Sequence, residues 1–186
     1  MATWDDLVWR HFTTNVGLIT SRGPIGDNIM AAEWTRVVSY TPSLIMVHVD
    51  PAHASTKNIK KSKEFGVSLA SESQNWVSSI AGGSHGNKVD KISALKDLGV
   101  VFYEAKKIDA LMVKDAAFNA ECKLVKTITL GDHYAFIGKV VAFSMDESIN
   151  PLLYHEGKYF KLGEHIEKPP QEFLDKIKAA LEKHSR

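Results

Sequence analysis

Short apolar runs and period-two alternation dominate this chain. Positions 15–21 (NVGLITS) read as a strand closed by the turn formers Gly23, Pro24 and Gly26. Positions 29–39 continue extended with a break near the alanines, and 44–49 (LIMVHV) form a buried strand ended by Asp50-Pro51. In 65–70, Phe65, Val67 and Leu69 share one face. A strand follows at 100–103. The clearest hairpin joins 117–129 to 134–145 through Leu130-Gly131-Asp132-His133, with arms rich in β-branched and aromatic residues. A small second hairpin spans 154–162 with Gly157 near its middle. Helical spacing covers 55–63, then 72–81 through Trp76, Val77 and Ile80, then 91–98, stopped by Gly99. Past Pro169-Pro170, an amphipathic helix puts Phe173, Leu174, Ile177, Ala180 and Leu181 on one face, with Glu172 ahead of Lys176 at the favoured spacing.

Strands outnumber helices, and no regular β-α-β alternation links them. The pattern predicts a mainly β chain, a barrel with inserted helices, in a single domain over 1–186 with a C-terminal helix at about 170–184. The stretch 82–88 (GGSHGNK) is predicted to be the most flexible, a mobile surface loop.

Composition narrows the function classes. A chain of 186 residues, 44% hydrophobic and 24% charged, suits one soluble globular domain. The net charge of +1 argues against a dedicated nucleic-acid binder. A single cysteine, Cys122, excludes an intrachain disulfide and a cysteine metal cluster, and it reads as a buried structural thiol. No apolar run approaches the ~20 residues of a spanning helix, and the first twelve residues do not read as a signal peptide, so a cytoplasmic protein is expected. His155-Glu156-Gly157-Lys158-Tyr159 starts like a zinc-protease helix but carries Tyr159 where the second histidine belongs, and no metal site is expected.

The candidate chemistry lies in 24–61. A Gly/Asp turn leads through small residues, Ala31-Ala32, that let a backbone approach a ligand closely. Downstream, Ala54-Ser55-Thr56-Lys57-Asn58 reads as a hydroxyl-capped helix start, whose free N–H groups and dipole receive anions. Alone, Ser55 and Thr56 are ordinary caps and the 28–34 run an ordinary barrel strand. Together they suggest a ligand flat at one end and phosphorylated at the other.

The series Asn28, Met30-Ala31-Ala32, Trp34, Ser39, Pro42, Ser55-Thr56, Ile59 and Phe65-Gly66-Val67-Ser68 resembles the flavin reductase-like family of FMN-binding split barrels, which includes flavoredoxins and NAD(P)H:flavin oxidoreductases. Gly131-Asp132-His133, Ile137-Gly138-Lys139-Val140 and Pro151-Leu152-Leu153-Tyr154 continue the likeness, over about 12–163. Glu33 stands where many relatives carry a small residue, and Ser43 where a second proline is common. The resemblance implies an FMN-binding split β-barrel that pairs as a homodimer. Electrons would pass from NADH or NADPH to FMN and on to a small-molecule or protein acceptor; the alternative is a flavoredoxin-like carrier reduced by a protein partner. It implies FMN contacts at Asn28, Ile29, Met30, Ala31, Ala32, Trp34 and Ser39, with Ser55, Thr56 and Asn58 at the phosphate and Lys88 or Lys91 reaching it across a rim. His133 becomes a candidate for the nicotinamide pocket, and no side-chain acid or base is required.

Overall fold

The structure, a computed structural model, describes residues 8–185. In chain order its elements are β1 (Thr14–Asn15), β2 (Gly17–Ser21), β3 (Asn28–Ala32), β4 (Thr35–Ser39), β5 (Leu44–Val49), α1 (Ala54–Ser62), β6 (Glu64–Leu69), α2 (Asn75–Gly83) and α3 (Lys91–Asp97). There follow β7 (Phe102–Glu104), β8 (Leu111–Val113), β9 (Phe118–Leu130), β10 (His133–Met145), β11 (Leu153–His155), β12 (Lys158–Phe160) and α4 (Gln171–Lys183). Seven antiparallel strands make one sheet, β3-β2-β6-β9-β10-β5-β4. β3 and β4 are neighbours in sequence but lie at opposite edges. The sheet curls into a half-barrel, so that Met30 and Ala32 of β3 share a core with Ile45 and Val47 of β5.

The expected fold class is observed: mainly β, with a few helices and one at the C-terminus. The alternation in the strands sets two cores. Ile19, Met30, Phe65 and Val67 point inside the curl, while Leu18 and Ile29 point outward beneath α2 and α3. Cys122 is buried in the inner core, and burial, then Glu121, pushes its thiol up to about 12. Gly138 lies beside it because a Cβ there would come within 2.5 Å of the Phe65 ring.

Several boundaries differ from the sequence reading. The run at 15–21 is two strands, because at Val16 the chain changes partner: its N–H donates to Leu152 O (3.3 Å) while its carbonyl accepts from Ala70 N (3.0 Å). The break in 29–39 falls at Glu33-Trp34, where the chain crosses between the two edges of the sheet. β8 was not anticipated; three apolar residues are too few to show a period. The long hairpin closes on Gly131-Asp132 alone, with Gly131 at φ 59°, so His133 opens β10. His155 and Glu156 lie in the β11–β12 hairpin, not on a helix. α4 forms as the spacing predicts, but none of its residues is buried. Among the described residues no helix is long and apolar enough to cross a membrane.

Candidate functional site

The site grows from the meeting of β3, the start of α1 and the segment between α2 and α3. β3 is an edge strand: it pairs with β2, and among the described residues no strand pairs with its other side. Its small residues leave that side approachable, and the C-terminal end of α2 comes close there, Gly82 lying against Ala31. Asn28, 3% exposed at the first position of β3, donates from Nδ2 to Ser55 Oγ at 2.8 Å. That bond ties the strand to the helix start.

α1 begins differently from the hydroxyl-capped start read from the sequence. His53 is the cap residue, and no side chain caps the helix. Thr56 is buried one turn in, its Oγ1 donating to Asp50 O at 2.7 Å. The sequence HASTKNI thus leaves the helix N-terminus without a side-chain acceptor, and its dipole favours an anion. Asn58 is turned away from this end. Its Oδ1 accepts from Ile25 N (3.0 Å) and its Nδ2 donates to Gly26 O (2.9 Å), so the amide is committed to holding the β2–β3 turn.

The 84–91 segment is pinned down, contrary to its flexible composition. Lys91 is 3% exposed, and its Nζ donates to Ala81 O (2.7 Å) and Ser84 O (3.1 Å). It therefore does not reach across a rim; it approaches the site from beneath. Asn87 Nδ2 donates to Ala52 O at 3.1 Å, and Gly86 packs so closely on Asn28 that a Cβ would collide with its Oδ1. Lys88 points away, to a neighbouring cleft.

Asn28, Met30, Ala31, Ser55 and Lys91 line one small cavity of about 40 Å³ together with His53, His85 and Gly86. Ile29 is buried beneath α2 and Ala32 lies in the inner core, and neither lines that cavity. Trp34 is 40% exposed, not a core tryptophan, and its ring meets His133 at 5.0 Å and the edge of His48 at 5.8 Å. His133 Nδ1 is 2.7 Å from Asp132 Oδ1, a bond that holds the Asp132 carboxyl below its usual range. Ser39 lies apart: it pairs with Leu44, while α1 follows the other end of β5.

The electrostatics are one-sided. Lys91 touches only carbonyls, and burial pushes its ammonium down to about 8. Burial also lowers His53, against the pull of Asp50, with His85, Lys91 and His133 adding to the lowering. His53 Nδ1 is buried without a partner, and the His53 and His85 rings are 5.8 Å apart. The sequence pattern singles out neither histidine; His53 just ahead of a helix start is the one signal available. Glu33 faces the other way, toward Arg10 and Tyr154, and burial raises its carboxyl. Among the described residues no group of His, Cys, Asp or Glu is arranged to hold a metal ion. A buried cation, an uncapped helix end and an unpaired strand edge together suit a ligand with a phosphate and a flat hydrogen-bonding edge.

Residues 9–163 match the family described as the flavin reductase like domain. An uncharacterized protein of Pyrococcus abyssi is 36% identical over 120 residues, covering 64% of this chain and 67% of that protein. An FMN-binding protein from Thermus thermophilus superposes with a TM-score of 0.80 at 22% identity, over 91% of this chain and 97% of that one. The NADH:FAD oxidoreductase SgcE6 of Streptomyces globisporus C-1027 superposes with a TM-score of 0.78 at 20% identity, over 88% and 99%. At these identities the two superpositions establish the shared fold.

Proposed function

The chain belongs to the flavin reductase like family, and on that premise we propose that it binds FMN and passes electrons from NADH or NADPH through it to a small-molecule or protein acceptor. The observation that carries the reading is Lys91: a buried ammonium beside an uncapped helix start, with no carboxylate to pair it among the described residues. A phosphate supplies the missing charge. When bound, the flavin supplies the hydride-accepting ring and the route to the second acceptor.

The chain's own residues bind, orient and shield. Lys91, the N–H groups at the start of α1 and Ser55 hold the phosphate. Asn28 fixes Ser55 and so aligns α1 with β3. The outer edge of β3 offers backbone donors and acceptors at close range, since Ala31 carries only a methyl group. Trp34 and His133, in ring contact, form an aromatic wall against which a nicotinamide can lie with water excluded. Nothing in hydride transfer requires a proton from these side chains. The working unit in this reading is a cytoplasmic homodimer that engages neither nucleic acid nor membrane.

The test is a visible absorption spectrum of the purified protein before and after anaerobic addition of NADH or NADPH. A flavin spectrum that bleaches supports the reductase. A flavin spectrum that persists, but bleaches with a reduced protein partner, replaces it with the electron carrier. A colourless protein that takes up no added FMN ends the flavin reading. Size-exclusion chromatography with light scattering tests the dimer.

A further inference from the structure

The lysines of α1 have no part in the cavity over Lys91. Lys57, Lys60 and Lys61 stand at i, i+3 and i+4, so they share one exposed face, and Lys63 follows at the helix C-cap. Residues 54–63 hold these four cations and no acid, in a chain whose net charge is only +1. Resting on the flavin reading, we propose that this lysine stripe is the docking surface for an acidic electron-transfer protein, the acceptor of the electrons that pass through the flavin site beside it.

The stripe is held at a cost to the helix. Like charges at i,i+4 repel, and Lys57 in the first turn sits at the wrong end of the dipole. Acids near it are engaged elsewhere. Asp50 accepts from Ala52 N (2.7 Å), Glu64 accepts from Asp109 N (2.8 Å) and pairs with Lys123 (3.6 Å), and Asp132 pairs with His133 (2.7 Å). No salt bridge reaches the four lysines among the described residues. Unneutralised cations gathered on one face make a local positive field that steers and orients an acidic partner.

Position points to an electron acceptor. Ala54 and Ser55 line the cavity over Lys91, and Lys57, Lys60 and Lys61 follow within ~11 Å along the helix axis. Lys60 Nζ lies 3.5 Å over the Tyr134 ring, and Tyr134 adjoins His133 of the aromatic wall. The stripe thus runs from the proposed phosphate end of the site toward that wall. The apolar side of α1, Ala54 and Ile59, is buried, which leaves nothing to insert into a membrane. Lys60 covers Tyr134, so a nucleic-acid base finds no stacking platform there. One NADH or NADPH gives up two electrons and a proton: two one-electron acceptor molecules are reduced in turn, and the proton passes to solvent.

The test offers the FMN-loaded protein, with NADH or NADPH, two acceptors: rubredoxin, a small acidic one-electron carrier, and menadione, an uncharged quinone. Lys60→Glu/Lys61→Glu stands beside the wild type. Both side chains are exposed, and Lys60→Gln/Lys61→Gln carries the test if charge reversal prevents folding. Rubredoxin reduction at low salt should be about tenfold slower in the variant, with menadione reduction and FMN affinity unchanged, and the difference should vanish at about 0.5 M salt. Equal rubredoxin reduction by wild type and variant at low salt overturns the proposal, as does menadione reduction without rubredoxin reduction. Tighter binding of a single-stranded oligonucleotide or of anionic vesicles than of rubredoxin, lost in the same variant, assigns the stripe to another partner and overturns it too. A protein that takes up no FMN, yet binds rubredoxin in a salt-dependent way that the variant loses, overturns the flavin reading and leaves the docking surface standing.

Discussion

Two cations, Arg22 at the β2–β3 turn and Lys91 against the end of α2, are treated in opposite ways. Arg22 is ringed by carboxylates: Asp27 at 2.6 Å, Glu104 at 3.1 Å and Asp109 at 2.5 Å, which raise its pKa above the ordinary value. Those bonds tie the turn to the 104–109 segment. Lys91 is more deeply buried, yet it receives only two carbonyl oxygens. Burying an ammonium costs several kcal/mol that carbonyl dipoles only partly offset. A chain able to surround Arg22 with three acids has the means to neutralise Lys91 and leaves it unpaired. The saturated cation is architecture; on the proposed reading, the unsaturated one marks where a ligand's charge belongs.

The comparison breaks most directly at Lys91. Lys91→Met keeps the stem and removes the charge. FMN affinity, followed by quenching of flavin fluorescence, should fall about 100-fold, or ~2.7 kcal/mol, while the thermal midpoint of the apoprotein holds or rises. Unchanged affinity would leave the buried ammonium without a role. The pH dependence sharpens the point. Burial lowers the folded pKa of Lys91 from 10.5 to about 8, so between about 8 and 10.5 the unfolded chain binds more protons. Apoprotein stability from this group therefore rises with pH across that window, by no more than about 3 kcal/mol. FMN affinity moves the other way, falling above about 8 as the cation is lost, and the fall disappears in Lys91→Met. Titrations at pH 7 and pH 9.5 measure both signs.

Arg22→Ala should give the converse pattern. It abandons three carboxylates around a side chain that is 29% exposed, so denaturant unfolding should report a loss of about 1–2 kcal/mol. FMN affinity should stay within about twofold. A smaller effect is expected at Gly86→Ala, where the added Cβ meets Asn28 Oδ1 and strains the bond from Asn28 to Ser55. FMN should bind about tenfold more weakly with stability down by ~1 kcal/mol. If stability falls and affinity does not, Asn28 supports the fold and not the ligand.

The same contrast shows what was legible in the chain. Long alternating runs predicted β9 and β10, and the Gly-Asp pair their turn, because local pattern and tertiary pairing agree there. The small residues of β3 and the Ser55-Thr56 pair pointed to the candidate site, since backbone access and helix starts are local properties. Lys91 was expected to reach across a rim; lysines are almost never buried, and its burial depends on two carbonyls, of Ala81 and Ser84, that no local pattern reveals. The resemblance put Asn58 with Ser55 and Thr56 at the phosphate, but its amide faces the turn at Ile25 and Gly26. The amphipathic stripe of α4 was legible while its partner was not: Phe173, Ile177 and Leu181 are 55%, 40% and 69% exposed.

Ser39 gives the smallest expected effect. It pairs with Leu44 at the start of β5, and α1 follows the far end of that strand, about 17 Å away at ~3.3 Å per residue. It does not line the cavity that Lys91 lines. Ser39→Ala should therefore leave FMN affinity within about twofold and stability within ~0.5 kcal/mol. A clear loss of affinity, with the thermal midpoint held, would mean that a second copy of the chain delivers its β4 to the site. That outcome would make the dimer part of the binding site, with Lys91 and Ser39 reaching one ligand from different subunits.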